Sequence, residues 1–234
     1  MTKGHMTKLN FKQRLKLFCE TLGFKGIKSE VLEVIADMSF SRLYARGEYI
    51  FHEGDSPDYF HVVDKGRVKV SISTPDGKNL TAIVAVRGDT LNAVALFENM
   101  ARFLTAQAMD ETTVVQVKRD DFVSFVYNHP DVALNIIAIL GRLIHSSYER
   151  ALGMVDQSVE QRVVNVLFML FLKFGKILKF TNREIADLAG TTTETTIRVM
   201  RSLRQSGSIK SSRGQIEIID HAGLKRLSKG YFLI

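Results

Sequence analysis

The chain has 234 residues and a mass of 26.4 kDa, enough for two modest domains. Hydrophobic residues make up 45% of it, charged residues 24%, and there are 3 prolines, which excludes global disorder. The net charge of +7 lies in residues 157–234, which hold 13 Lys and Arg against 6 Asp and Glu, whereas residues 1–156 are neutral. This basic third predicts a polyanionic partner, with a merely solvated basic surface as the alternative.

The N-terminal segment has an amphipathic helical pattern and no pattern of export. Phe11, Leu15 and Phe18 recur at helical spacing, and no stretch combines a secretory apolar core with a cleavage site. The single cysteine, Cys19, excludes an internal disulfide, so we expect the cytoplasm. The uncharged run 163–172 has about half the length of a bilayer span, so we expect no membrane partner. The Met-Thr-Lys triplet at positions 1 and 6 indicates a start-site remnant rather than a structural repeat.

Residues 40–120 have the pattern of short strands. Glycines at positions 47, 54, 66, 77 and 88 separate apolar runs rich in β-branched and aromatic residues, at 49–51, 59–63, 68–72, 80–86 and 114–117. The dipeptide Asp76-Gly77 between two such runs is typical of a hairpin turn. The sequence therefore predicts an antiparallel β-barrel or jelly roll, within an effector-sensing domain over residues 1–129.

From Pro130 the apolar spacing becomes helical. The positions spaced alternately by three and four residues form a heptad seam: Ile137, Leu140, Ile144, Ser147, Ala151 and Met154. This seam predicts a dimerisation helix with a hinge near residue 157, together spanning 130–157, and hence a homodimer. The alternative is a helix buried within one subunit, because Gly141 and Ser147 weaken the seam.

The last part of the chain predicts a winged helix-turn-helix domain over residues 158–234. Capping-box patterns begin helices at Ser158 and at Thr181, and the second helix ends at Gly190. A third helix follows over about 192–206, and alternation over 209–219 around Arg213-Gly214 predicts a β-hairpin wing. The whole chain is therefore of the α+β class.

The helix after Gly190 has two faces. Thr196, Val199, Met200 and Leu203 form an inner face, and the outward candidates for DNA contact are Thr192, Thr193, Glu194, Ile197, Arg198 and Arg201. Arg can pair with guanine, Glu can accept from cytosine and Ile can contact a thymine methyl group in the major groove. The alternative is local: Glu194 would close a capping box with Thr191, and Arg198 would pair with Glu194.

Four motifs carry a family resemblance. They are Arg87-Gly88-Asp89, Leu96-Phe97-Glu98, His129-Pro130-Asp131 and the run from Thr181 to Arg198. With them the chain resembles the bacterial cyclic-AMP receptor protein and fumarate-nitrate-reduction regulator superfamily over nearly all its length. The resemblance implies a homodimeric transcription regulator whose partners are a palindromic double-stranded DNA operator, RNA polymerase and a small-molecule effector. It also implies that Glu194 and Arg198 contact bases.

The same resemblance bears on the effector. Relatives that bind cyclic AMP use an Arg-Ser pair for its phosphate and a Gly-Glu pair for its ribose; here Arg102 matches, but Phe103, Asn92 and Ala93 replace the other three. We therefore do not expect cyclic AMP, and Arg102 alone is compatible with a surface residue. The base-contacting pair of these relatives aligns with Ser147 and Tyr148. The candidate effector contacts are Asn92, Ala93, Arg102, Phe103, Leu104, Ser147 and Tyr148.

Other functions find less support in the sequence. One cysteine cannot hold an iron–sulfur cluster, and Cys19 is expected to pack against the first helix rather than act as a redox switch. Haem sensing through His61 or His145 stays open as an alternative, as does a cyclic-nucleotide-binding regulatory module. The chain contains no catalytic motif, so we do not expect an enzyme. The expected mechanism is a population shift that moves the reading helices about the hinge at 156–158.

Overall fold

The computed structural model describes residues 9–74, 79–212 and 214–228. The chain divides into two compact units: Met1–Ser73 with Ala82–Leu140, and Thr74–Thr81 with Gly141–Ile234. The division therefore falls within two elements, the strand that runs from Asn79 to Ala85 and the helix that runs from Pro130 to Asp156.

The N-terminal unit combines two sheets with flanking helices. Its helices are α1 (Phe11–Glu20), α2 (Ser29–Met38), α3 (Val94–Glu98), α4 (Arg119–Asn128) and the first part of α5 (Pro130–Asp156). Its strands are β1 (Phe40–Tyr44), β2 (Tyr49–Phe51), β3 (Tyr59–Lys65), β4 (Val68–Ser73), β5 (Asn79–Ala85), β6 (Thr105–Ala108) and β7 (Thr112–Lys118). The strand orders are β1-β7-β3 and β2-β6-β4-β5.

The pairing of these strands is antiparallel, for example Tyr59 with Lys118 in β3 and β7, and Val68 with Ala108 in β4 and β6. This confirms the predicted antiparallel β domain. Apolar side chains of these strands form the interior, where Val63, Val68 and Ala106 are buried. The turn predicted at Asp76-Gly77 lies outside the described residues.

The helices of this unit cover one sheet with an aromatic core. The rings of Phe60 and Phe122 stack at 3.8 Å between centroids, and Phe24 meets Phe60 edge to face. Val132, at the start of α5, is buried in the same cluster. Part of the apolar surface of α4 and of the start of α5 therefore belongs to the domain core.

Cys19 differs from its predicted position. We expected it to pack against the amphipathic start, but it is exposed, whereas Leu17 and Phe18 are buried. Two residues beyond Leu17, it lies on the opposite side of α1 from that residue.

The C-terminal unit is a winged helix-turn-helix, as predicted. After the second part of α5 it contains α6 (Val159–Phe174), β8 (Ile177–Leu178), α7 (Asn182–Ala189), α8 (Thr193–Gln205), β9 (Ile209–Ser212), β10 (Gln215–Ile218) and α9 (His221–Leu227). The sheet order is β8-β10-β9, and β8 and α9 were not predicted. Of the predicted wing turn, Arg213 lies outside the described part of the chain.

The two predicted capping boxes have different outcomes. At Thr181 both hydrogen bonds form, since its hydroxyl accepts from Glu184 N–H and the Glu184 carboxylate accepts from Thr181 N–H. At Ser158 the hydroxyl accepts from Gln161 N–H, but the Gln161 amide donates to Asn165 and to the carbonyl of Leu227. The capping box at Ser158 is therefore only half formed, because tertiary contacts engage the Gln161 side chain.

Within the described residues, no single helix has both the length and the apolar composition to span a membrane. Among the described helices, one pair, α4 and α5, has the required length and apolar composition when taken together, but it is bent by 107° at His129.

Candidate nucleic-acid interface and sensing site

The turn between α7 and α8 fixes where the recognition helix begins. Gly190 has φ 59° and ψ 50°, a left-handed conformation that suits glycine, and its N–H donates to the carbonyl of Ala186. Two residues later Thr192 caps α8, because its hydroxyl accepts from Thr195 N–H at 3.2 Å. The predicted boundaries of α8 are thus set by local chemistry.

The two faces of α8 are arranged as the spacing indicates. Thr196, Val199, Met200 and Leu203 are buried, and Thr196 donates its hydroxyl to the carbonyl of Thr192. Of the candidate contact residues, Thr192, Glu194, Ile197, Arg198 and Arg201 are exposed and Thr193 is half-buried. One continuous polar surface with an apolar side chain in its middle, Ile197 at 41% exposure, therefore faces away from the domain core.

Glu194 and Arg198 are free to contact a partner. The capping oxygen at the start of α8 belongs to Thr192 rather than to a Thr191–Glu194 box. Among the described residues Glu194 and Arg198 form neither an ion pair with each other nor a hydrogen bond to another side chain. An exposed carboxylate beside an exposed guanidinium can accept from one base and donate to another in a major groove.

Sequence reasoning missed the connection between α8 and the wing. Arg204 Nη1 donates to Ser211 Oγ at 3.1 Å, which joins the end of α8 to β9, and Lys210 is exposed on the same strand. Exposed basic residues next to a recognition helix are suited to phosphate contact. The basic charge of residues 157–234 was the signal for such residues, but it did not single out these two.

Helix α5 exposes apolar side chains in both of its parts. Leu134 is 63% exposed and Val155 87%, and between them Ile137, Ile144 and Tyr148 are also exposed. Of the seam we expected, Ile137, Ile144, Ser147, Ala151 and Met154 are exposed, whereas Leu140 is half-buried. The Ser147 hydroxyl donates back to the carbonyl of Leu143 within α5.

Arg102 is inside the barrel, so its reading as a surface residue was wrong. It is 2% exposed; Nη2 donates to the carbonyl of Tyr59 at 2.6 Å, and the guanidinium lies 4.0 Å from the Phe51 ring centroid. Burial lowers the pKa of Arg102 to about 10, partly opposed by the charges of Asp58 and Asp55. In the part of the chain that the structure describes, no carboxylate forms an ion pair with it.

His61 and Asn92 are neighbours of this guanidinium. His61 Nδ1 lies 3.4 Å from Arg102 Nη2; burial, and then the Arg102 charge, lower the pKa of His61 well below 6.5. The carbonyl of Asn92 lies 3.4 Å from Nη1. Asn92 has φ 48°, and both polar atoms of its side chain are buried with no hydrogen-bond partner in the described part of the chain.

The other predicted effector residues are dispersed. Phe103 is 52% exposed rather than buried, because it points out of the barrel next to the inward Arg102. Ala93 and Leu104 are half-buried against two different clusters. On α5, Ser147 and Tyr148 are exposed, and His145 is an exposed side chain 3.0 Å from Glu149. Only Asn92 and Arg102 are brought together by the contacts of the described residues.

Two family models match the chain. The model of the cyclic nucleotide-binding domain matches residues 41–129, and that of the Crp-like helix-turn-helix domain matches residues 161–227. The cyclic AMP receptor protein of Thermus thermophilus is 26% identical over 208 residues, covering 88% of this chain and 96% of the relative. The nitrogen fixation regulation protein FixK of Azorhizobium caulinodans is 25% identical over 207 residues, covering 83% and 82%.

A solved structure has a similar fold. The structure of FixK2 from Bradyrhizobium japonicum superimposes with a TM-score of 0.73 at 22% identity and covers 82% of this chain and 98% of that one. The two matched domain models, the similar sequences and the similar fold together identify the family. The protein belongs to the cyclic-AMP receptor protein and fumarate-nitrate-reduction regulator (CRP/FNR) superfamily of bacterial transcription regulators.

Proposed function

We propose that the protein is a homodimeric, sequence-specific DNA-binding regulator, acting in the cytoplasm with RNA polymerase and controlled by a small effector other than cyclic AMP. The observation that carries the proposal is the outer face of α8, where Glu194, Ile197 and Arg198 are exposed on a capped helix whose opposite face is buried. Thr192, Thr193 and Arg201 flank them. The face thus offers a hydrogen-bond acceptor, an apolar contact and a guanidinium within two helical turns.

The nature of this face supports base reading over general affinity for DNA. A carboxylate is repelled by phosphates, so Glu194 would weaken nonspecific binding. It contributes favourably only where it accepts a hydrogen bond, as from cytosine N4, while Arg198 one turn later donates to guanine. We therefore propose an operator in which each half-site contains G·C base pairs at the adjacent positions that Glu194 and Arg198 contact.

The exposed apolar face of α5 supports a homodimer. Leu134, Ile137, Ile144, Tyr148 and Val155 repeat at spacings of three, seven, four and seven residues, which is heptad periodicity. Such a face is expected to be buried against an identical helix, which sets two α8 helices about one DNA turn apart. Ile144→Glu should give a monomer in analytical ultracentrifugation, while Arg142→Glu on the same helix should leave the dimer intact; equal behaviour would contradict this seam.

Two features of the barrel argue against a cyclic nucleotide as the effector. A cyclic phosphate needs a cation with free donors, but Arg102 directs Nη2 to Tyr59 and His61 and packs on Phe51. A ribose hydroxyl needs an acceptor such as a carboxylate, and Ala93 has none. We therefore infer an effector of different chemistry, whose polar group would pair with the buried Asn92 amide, since that amide has no partner within the residues that the structure describes. Calorimetry with cyclic AMP should give no binding heat at micromolar protein; micromolar affinity would contradict this inference.

Selection of bound DNA from a random pool tests the reading face, and Arg198→Ala is the decisive variant. Its affinity for the selected operator should fall about 10- to 100-fold, while its affinity for random DNA changes little. Arg142→Ala is the matched control, because it removes an equal exposed charge from α5. An equal loss on both DNAs would assign Arg198 to phosphate contact and contradict base reading.

A further inference from the structure

The end of α7 is held by side chains from other helices. The last carbonyls of a helix have no partner within it. Here Arg162 of α6 donates from Nε to the carbonyl of Ala189 at 3.0 Å and from Nη2 to that of Gly190 at 3.3 Å. Arg150 of α5 donates from Nη2 to the carbonyl of Leu188 at 3.1 Å. Two guanidinium groups therefore complete the turn that precedes the recognition helix.

Arg150 differs from Arg162 because it also reaches a strand. The same Nη2 donates to the carbonyl of Thr81 at 2.9 Å. Thr81 belongs to the C-terminal unit, but β5, in which it lies, continues to Ala85 in the N-terminal unit. One nitrogen atom thus joins the turn before α8 to a strand that leads into the sensing domain.

The surroundings of this contact are packed. Burial lowers the pKa of Arg150, and the buried Thr81 hydroxyl has no hydrogen-bond partner among the described residues. A Cβ built on Gly190 would clash with Cε of Met154 and would lie 3.6 Å from Cδ1 of Leu80. Because the turn has no free space towards α5 or β5, it cannot shift without moving them.

We propose that Arg150 is a positioning residue for DNA reading, which transmits a displacement of β5 to the turn at Gly190 and so to α8. The inference rests on the proposed function and adds the route by which the sensing domain controls it. Its physical basis is that a hydrogen bond from a charged donor is strong, the more so where the donor is largely buried, so the guanidinium holds the two carbonyls close together as long as it bridges them.

Hydrogen exchange measured by mass spectrometry tests the bridge without DNA. Arg150→Met keeps most of the side-chain volume and removes the donors, and Arg142→Met is the exposed control. In Arg150→Met, peptides covering 79–83 and 186–192 should both exchange at least about tenfold faster, with peptides in α6 unchanged. Faster exchange at 186–192 alone would reduce Arg150 to a cap for α7 and overturn the bridge, as would no change at either.

DNA binding tests the consequence. Arg150→Met should lower operator affinity at least about tenfold while the dependence of log affinity on log salt keeps its slope, because no phosphate contact is lost. Arg150→Lys, which retains a cationic donor, should recover part of the affinity and guards against misfolding of the first variant. A slope smaller by about one would make Arg150 a phosphate contact and overturn the proposal. If the wild type ignores DNA, the proposed function fails, whereas the exchange result still reports the bridge.

Discussion

The two domains use arginine in opposite ways. In the barrel, Arg102 is 2% exposed and donates to backbone carbonyls, whereas on α8 Arg198 is exposed and forms no hydrogen bond or ion pair with a described side chain. The first guanidinium contributes to holding its own domain together. The second is available to a partner. The difference shows that a family's ligand-binding residue type can persist at a position where its donors are turned inward.

Replacing Arg102 is the strongest test of this contrast. Arg102→Ala removes a buried side chain from the Phe51 ring and leaves the carbonyl of Tyr59 without its donor, so unfolding free energy should fall by about 2–4 kcal/mol. Denaturant titration measures it. Arg102→Met, which fills the space, should lose less than half as much, and Arg198→Ala should stay within about 0.5 kcal/mol. A fully stable Arg102→Ala that no longer responds to cell extract would instead make Arg102 a ligand contact.

Replacing Gly190 tests whether the stability of the winged helix-turn-helix domain also depends on interior packing. Gly190→Ala meets both a left-handed backbone and the side chain of Met154, so we expect a loss of about 2–3 kcal/mol in thermal unfolding. Gly207→Ala is the matched control, because its φ is 75° but, apart from its chain neighbours, none of the described residues has an atom within 4 Å of the added Cβ, and it should lose only about 1 kcal/mol. Met154→Ala should recover part of the Gly190→Ala loss; absence of recovery would show that Met154 does not confine the turn.

His61 extends the contrast to pH. The unfolded chain binds a proton at His61 near pH 6.5, while the folded chain binds it only at lower pH because burial and Arg102 lower its pKa. Between these values the unfolded state holds more protons, so stability falls with falling pH, by at most about 1.4 kcal/mol per unit. Urea titrations from pH 7 to 5 should show a shallower fall for His61→Gln than for the wild type. His145→Gln, an exposed replacement, should keep the wild-type slope; the reverse result would contradict the buried neutral His61.

Ile197 gives the smallest expected effect. Ile197→Ala should leave stability unchanged and weaken the selected operator by about 1 kcal/mol, or about fivefold, if the side chain contacts a thymine methyl group. Replacing that thymine by uracil in the operator should weaken wild-type binding equally. When the Ile197→Ala protein is measured on the uracil-containing operator, the two losses of binding free energy should not add. Additive losses would mean that Ile197 contacts something other than the methyl group.

Local chemistry explains why the reading domain was predictable. The Thr181–Glu184 capping box, the left-handed Gly190 and the two faces of α8 each depend on residues within about one or two helical turns. The half-formed box at Ser158 shows the limit, because Gln161 is engaged by Leu227, 66 residues away. The same limit hid Arg150, whose two partner carbonyls are 69 and 38 residues distant.

The barrel was predictable as an architecture and not as a site. Alternating β-branched residues and regular glycines indicate strands whatever the ligand. Whether Arg102 points inward and whether Phe103 points outward depends on how β6 and its preceding loop meet β3, which no short pattern encodes. Residue identity at the matched positions argues against cyclic AMP, which stays a prediction, and it did not indicate another effector.

The sharing of β5 between the two units has a consequence for engineering. A chimera that joined residues 158–234 to a foreign sensor would leave behind Thr81, Leu80, Arg150 and Met154, which surround the turn before α8. A functional graft should therefore carry α5 from residue 141 onward and be accompanied by the matching strand segment of its original barrel. In this protein the unit that would have to be transferred as a whole is therefore discontinuous in sequence.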